Sequence, residues 1–441
     1  MKASVAVLAS WLSSCATGCL QVTSCEGGGT GNRPEGRVAF APLPARGGGA
    51  LTNPWSNGEP RILKDRSPGT AGELFGFGWS DKLYLFKSAD RGGSWTFVDP
   101  PGGEVVGTSQ PLCAAQDSPG QVHLLFKNGP AGRVEYARLA PIHDQGAISS
   151  FRVEVQGVEL PGGYNTNGDV RATLQVVLEQ SGGESLVFEV NDNSAPATFR
   201  VQMGQATTLR PAASGDFVSL SGAPGTTEVF SSAEFNNHDH AATFAQLRET
   251  GDLWVFWGPV DAELGAQDDT YTTRLRLSPS GPRAWSVGAP VQMVTSDAVA
   301  SPEVLSVFGT RRFVWLLYLD PRDGLSIDRV DGSGTYRHAV VRSPDPAPHR
   351  NGWGVLSVSD DETRLWAIWS TLSREGPGVQ DRTMQGYFDG AAWATFEDPV
   401  AGDCWGMGGT LGWSEGVVAT RVDEETFGIA LSAIHGGEPA R

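Results

Sequence analysis

Short, almost wholly apolar runs recur along the chain, each at the same place within a longer unit. LWVFW begins at Leu253, VWLLY at Val314 and LWAIW at Leu365, and VHLLF from Val122 stands in an equivalent position. A strand that is apolar on both faces has to be covered on both faces, so these runs belong between packed layers. Around each run lie three further strand-like stretches divided by turn residues. The unit from His240 reads HAATFAQL, DLWVFW, TYTTRLRLS, AWSVGAPVQM. The next reads PEVLSVFG, FVWLLYL, GLSIDRVDG, TYRHAVV, and a third WGVLSVS, RLWAIWS, RTMQGYFDG, AWATFEDPV. Earlier come PLCAAQ, QVHLLFK, RVEYARL, SSFRVEV and then VRATLQVVL, SLVFEV, TFRVQM. No sustained 3.6-residue period competes with them. The chain is therefore expected to be all-β.

Units begin near Arg61, Ser109, Val170, His240, Pro302, Trp353 and Trp405. Their spacing of roughly 50–70 residues suits a four-stranded blade with its loops. The expectation is a β-propeller of four-stranded blades, seven in number. Six is the alternative, because PWSNGEPRIL (Pro54–Leu63) imitates AWSVGAPVQM so well that it reads as a fourth strand. The last unit offers three strands, GTLGW, GVVATRV and FGIALSA, and RVAFA (Arg37–Ala41) is the candidate for the missing one. Closure of this kind removes an open edge. Residues 206–235 fit no unit and read as an extra hairpin.

Lys82–Thr96, KLYLFKSADRGGSWT, carries the most specific turn signal. Its Asp90 can accept from backbone N–H groups just ahead, and the glycines tolerate the positive φ of a tight turn. The spelling Ser88, Asp90, Gly92, Trp95 resembles the Asp-box of sialidase-like (BNR repeat) β-propellers. The resemblance implies a turn joining the third and fourth strands of the first blade, on the side away from the ligand site. It implies a structural role for these four residues. Asp389–Trp393 is a shorter echo without the Ser.

The N-terminus, residues 1–14, has one Lys, the apolar run ASVAVLASWL and then LSS before Cys15. That run is too short to span a bilayer and reads as a signal-peptide core. Leu12–Cys15 resembles a bacterial lipobox, which implies lipidation at Cys15. Residues 15–49 are rich in Gly and Pro and read as a tether, leaving 50–441 as a single propeller domain. Localisation is then export to the cell envelope by a lipid anchor, or secretion. Cys19, Cys25, Cys113 and Cys404 make an even set for an oxidising compartment. Cys19–Cys25 with Cys113–Cys404 is the tidiest of three possible pairings. A formal charge of −17 with no basic stretch argues against nucleic acid and anionic membrane surfaces as partners. Membrane contact is expected through the anchor alone, and the chain is expected to act as a monomer.

Polar clusters stand just ahead of several first strands: Asn165–Arg171, Asn236–His240, Ser301–Glu303 and His349–Asn351. In the propellers this chain resembles, such loops line the mouth of the central channel. Candidate ligand-binding residues are therefore Asp169, Arg171, His238, Asp239, His240, Glu303, His349 and Arg350. His238 and His240, two apart on an extended strand, share a face; they are candidates for proton transfer and similar to the histidines of BNR-type polysaccharide lyases. Pro60-Arg61-Ile62-Leu63 keeps part of the arginine motif of sialidases but lacks its aromatic and its proline, and by that resemblance Arg61 is a catalytic candidate. No cofactor and no metal is expected. The favoured function is binding of a glycan or protein ligand at the channel mouth. The alternative is a glycan-active enzyme, hydrolase or lyase, of the sialidase-like superfamily.

Overall fold

The apolar runs do form second strands, and each is flanked in space by the strands that flank it in sequence. The computed structural model describes residues 41–42 and, with gaps, 62–432; its longer runs are 110–128, 133–162, 170–194, 198–232, 240–259, 273–292, 303–320 and 324–334. Residues 1–40, with the signal segment, Cys15 and most of the tether, lie outside the described residues, as do Cys19, Cys25 and Cys404. After β1 (Ala41–Pro42) comes sheet I, made of β2 (Ile62–Lys64), β3 (Leu74–Trp79), β4 (Leu83–Ser88) and β5 (Thr96–Val98). Sheet II holds β6 (Gln110–Gln116), β7 (Val122–Asn128), β8 (Arg133–Asp144) and β9 (Ala147–Glu159). Sheet III holds β10 (Arg171–Leu178), β11 (Glu184–Ser194), β12 (Thr198–Ala206), β13 (Phe217–Ser219) and β14 (Thr227–Ser232). Sheet IV holds β15 (His240–Leu247), β16 (Asp252–Pro259), β17 (Thr273–Gly281), β18 (Ala284–Val287) and β19 (Val291–Gln292). Sheet V is β20 (Glu303–Gly309), β21 (Val314–Asp320), β22 (Gly324–Val330) and β23 (Tyr336–Arg342). Sheet VI is β24 (His349–Val358), β25 (Leu365–Ser373), β26 (Arg382–Phe388) and β27 (Trp393–Asp398). Sheet VII joins β28 (Gly416–Arg421) and β29 (Phe427–Ser432) to β1.

Three details depart from the sequence expectation. Residues 206–235 are no separate hairpin: β13 pairs Gly204–Ala206 and β14 pairs Phe199–Met203, so together they complete the outer edge of sheet III. Sheet IV repeats this, with β18 on Leu277–Gly281 and β19 on Thr273–Arg274. In both, a segment with Gly and Pro (SGAPG, GAP) interrupts the fourth strand, as expected where proline withdraws a ladder donor. The N-terminal strand also runs past Ala41: Ala41 and Pro42 pair in parallel with Ala430 and Leu431 on the edge of sheet VII, while Arg37–Phe40 lie outside the described residues. GTLGW lies outside the described residues, and β28, expected as a second strand, lies beside β24 and β2 as a leading strand would.

Side-chain alternation feeds the seams between sheets. In β7, Val122, Leu124 and Phe126 join Phe75, Leu85 and Phe151 between sheets I and II. Tyr136, Leu186, Phe188 and Phe217 fill the seam of II and III. Val187, Met203, Phe244, Val255 and Trp257 fill that of III and IV, while Ala245, Phe256, Leu316 and Tyr318 fill that of IV and V. Two hairpin tips reinforce these seams from outside. The β8–β9 turn, with Gln145 and Gly146 at φ 52° and 84°, reaches sheet I. There His143 Nε2 and Asp65 Oδ2 are 2.7 Å apart, and Glu73 accepts from the Ile148 amide. The β17–β18 turn reaches sheet III in the same way, with Arg283 Nε 2.9 Å from Glu179 Oε1. The Asp-box segment occupies the matching place in sheet I, between β4 and β5. Ser88 is buried at the end of β4, while Asp90, Gly92 and Trp95 lie outside the described residues.

Candidate functional site

The leading strands of neighbouring sheets run parallel, and their cross-links show it. Thr173 Oγ1 donates to Thr243 Oγ1 at 3.3 Å, Gln175 Nε2 donates to the Phe244 carbonyl, and Leu178 N donates to Gln246 Oε1 at 2.8 Å. Partner numbers rise together along β10 and β15, which only parallel strands allow. The same holds for sheets IV and V, where Arg248 N and Glu249 N donate to the carbonyls of Thr310 and Arg311 just past β15 and β20. Beyond β20, Arg312 N and Nε donate to Glu362, which follows β24. Near the other end of the series, Arg66 N donates to Gln116 Oε1 and Gln116 Nε2 to Asp65 Oδ1, tying the trailing ends of β2 and β6. Trailing ends of sheets I and II, and of sheets III to VI, are thus hydrogen-bonded in turn, and the leading ends of these strands lie at the opposite end.

Gln246 is the clearest clamp among these links. Its amide accepts from Leu178 N and donates to Leu178 O at 2.6 Å, imitating a backbone ladder between two sheets. Gln246→Ala removes both bonds to the part-buried Leu178 backbone and is expected to destabilise the protein by about 1 kcal/mol. Chemical denaturation measures it, and a loss near zero would show that water replaces the side chain.

At the leading ends stand several residues singled out by sequence. Arg171 opens β10 opposite Asn191, His240 opens β15 opposite Pro259, and Glu303 opens β20 opposite Leu319. His349 and Arg350 open β24 opposite Ser373 and Leu372. The backbone therefore carries these five positions to one end of adjoining strands, although they span 171 to 350 in sequence. Asp169, His238, Asp239 and Arg61 lie outside the described residues. Among the described residues no group of three or more His, Cys, Asp or Glu side chains is placed to hold a metal.

A His–Tyr pair exists elsewhere, between sheets II and III. His123 Nδ1 lies 2.8 Å from the Tyr136 hydroxyl, and His123 Nε2 lies 3.3 Å from Asp117 Oδ2. Both rings are 0% exposed, and burial pushes the Tyr136 phenol far up. Fully buried, this group lies in the seam between the two sheets and away from the leading ends.

One residue of interest was not singled out from the sequence. Position four of the apolar second-strand run is Leu125, Phe256, Leu317 and Ile368 in sheets II, IV, V and VI. In sheet III it is Glu189, 0% exposed. The register confirms the equivalence, since Glu189 faces Thr173 on β10 as Phe256 faces Thr243 on β15. The signal was present in SLVFEV, which carries a carboxylate inside its apolar stretch where LWVFW, VWLLY, LWAIW and VHLLF carry none.

No known protein family matches the sequence, and no curated protein does. Among solved structures, a protein of unknown function from Dyadobacter fermentans is 14% identical with a TM-score of 0.44, over 77% of this chain and 97% of that one. AofleA from Arthrobotrys oligospora is 10% identical with a TM-score of 0.42, over 80% and 88%. The GH74 enzyme of Niastella koreensis is 12% identical with a TM-score of 0.41; the match covers 88% of this chain but 56% of the enzyme. All three scores lie below 0.5, a level that assigns neither family nor activity.

Proposed function

We propose that this chain is an exported seven-bladed β-propeller that binds a glycan at the mouth of its central channel. The observation that carries the reading is the parallel run of leading strands, which sets Arg171, His240, Glu303, His349 and Arg350 at one end of adjoining strands. Seven sheets in sequence order among the described residues, with β28 of the last beside β2 of the first, support closure into a ring. Cationic and hydroxyl-seeking groups held on rigid strands suit a polyhydroxylated, polar ligand. Asp169, His238 and Asp239, just ahead of β10 and β15, extend the same site. Anchorage through Cys15 and the tether of residues 15–49 would present it at the cell envelope. Ser88, Asp90, Gly92 and Trp95 brace the opposite end.

The test is a glycan array followed by titration of the best oligosaccharide. Arg171→Ala and Arg350→Ala are each expected to weaken binding at least about tenfold, as for loss of a charge-assisted hydrogen bond, without lowering the melting temperature below that at which binding is measured. Unbound arrays, or variants that bind like the parent, overturn the reading. Hydrolase and uronate-lyase assays decide between binder and enzyme, since turnover that vanishes in His238→Ala would make the site catalytic.

A further inference from the structure

We propose that Glu189 is a positioning residue for the channel-mouth site, its carboxylate acting as the counter-charge to Arg171. Glu189 breaks the repeat at a place where four other sheets carry Leu, Phe, Leu and Ile. An ionised carboxylate at 0% exposure is costly to bury unless a cation compensates it. The surrounding seam is polar in the same place. Thr173, opposite Glu189, donates to Thr243 of the next sheet, and Asn191, two residues on, accepts from the Ala242 amide at 3.4 Å. All four of these residues are buried: Thr173 is 1% exposed, Asn191 0%, Thr243 3% and Ala242 4%.

Register narrows the choice of cation. Arg171 pairs with Asn191, so it lies diagonally across from Glu189 on the same row of the ladder. Diagonal neighbours on one face are within reach of long side chains. Arg200 is opposite Asp192, on the other face of β11. Arg274 and Arg276 lie over the Trp254 ring, toward sheet V. Among the arginines on the described strands of sheets III and IV, Arg171 is the one that shares this row and face, at the end where the ligand is proposed to bind. A guanidinium held by a buried carboxylate is pre-organised, so less conformational entropy is lost when it engages a ligand.

The functional meaning rests on the channel-mouth reading, but the test needs no ligand. Phenylglyoxal modification of Arg171, followed by peptide mass mapping, is compared between the parent and Glu189→Gln. Exposed Arg133 serves as the internal control. The expected result is at least a threefold faster modification of Arg171 in Glu189→Gln with Arg133 unchanged. An equal rate at Arg171 overturns the proposal. A double-mutant cycle of Glu189→Leu and Arg171→Met, read by thermal unfolding, gives a second and independent measurement. Arg171→Met alone should lower the melting temperature and Glu189→Leu should restore it in the double variant; additive effects overturn the pairing. A protein that passes both tests yet binds no glycan would refute the proposed function and leave the pair standing.

Discussion

Trp257→Ala is expected to lower stability by about 4 kcal/mol, as for loss of a large aromatic from a close-packed core. Trp257 is 0% exposed and lies between sheets III and IV, with its ring 4.6 Å from that of Phe230 at 34°. Val187, Met203, Phe244 and Val255 pack in the same cluster, so the void would be walled by side chains from two sheets with little freedom to collapse. The indole N–H has no hydrogen-bond partner among the described residues. Trp257→Phe therefore removes volume and a buried unsatisfied donor together, and should cost well under half as much. Urea unfolding monitored by circular dichroism compares the two. Val287→Ala, at 44% exposure on the outer edge of sheet IV, is the control and should be nearly silent. A Trp257→Ala loss no larger than the control's would mean the seam is not packed as described.

The same seams explain what the sequence could and could not disclose. Second strands were legible because apolarity on both faces has one physical cause, burial between two layers, and LWVFW or LWAIW leaves no polar alternative. The sheet edges were less legible. An outer strand meets one neighbour and solvent, so a break such as Gly288–Pro290 costs little and leaves no periodic mark. β8 and β9 run longer than RVEYARL and SSFRVEV suggested, because PIHD and the residues after Gly146 continue as a hairpin against sheet I. At the leading ends, the polar residues were visible as a change of composition before apolar strands, and backbone register then showed which of them share an end. Glu189 could have been found by aligning the second strands, where one carboxylate stands among Leu, Phe, Leu and Ile. His143 and Asp65, 78 residues apart, obey no repeat and could come only from three-dimensional structure.

That His143–Asp65 contact gives the other large effect. Asp65 is a buried carboxylate at the trailing end of β2, its side chain 0% exposed. Burial pushes its pKa up, but hydrogen bonds from Ser67, His143 and Gln116 outweigh burial and hold it below the usual Asp value. The donors are Ser67 N at 3.0 Å, Gln116 Nε2 at 3.1 Å and His143 Nε2 at 2.7 Å. They come from two sheets, so one carboxylate ties the β8–β9 hairpin, the end of β6 and the turn after β2 together. Removing the acceptor leaves these donors without it, and Asp65→Ala is expected to destabilise by about 3 kcal/mol. The pH dependence has a definite sign. Since the folded pKa lies below the unfolded one, the contribution is fully present above about pH 4, the ordinary Asp range, and is lost as pH falls through the folded value. Thermal melts from neutral pH into the acid range should therefore show the stability gap between parent and Asp65→Ala narrowing below about pH 4. Asp65→Asn, which keeps the shape and one acceptor oxygen but cannot ionise, should lie between them at neutral pH and lack this carboxylate's share of the acid dependence. Parallel melting curves for parent and Asp65→Asn across the whole range would mean that ionisation of Asp65 contributes nothing to the clasp.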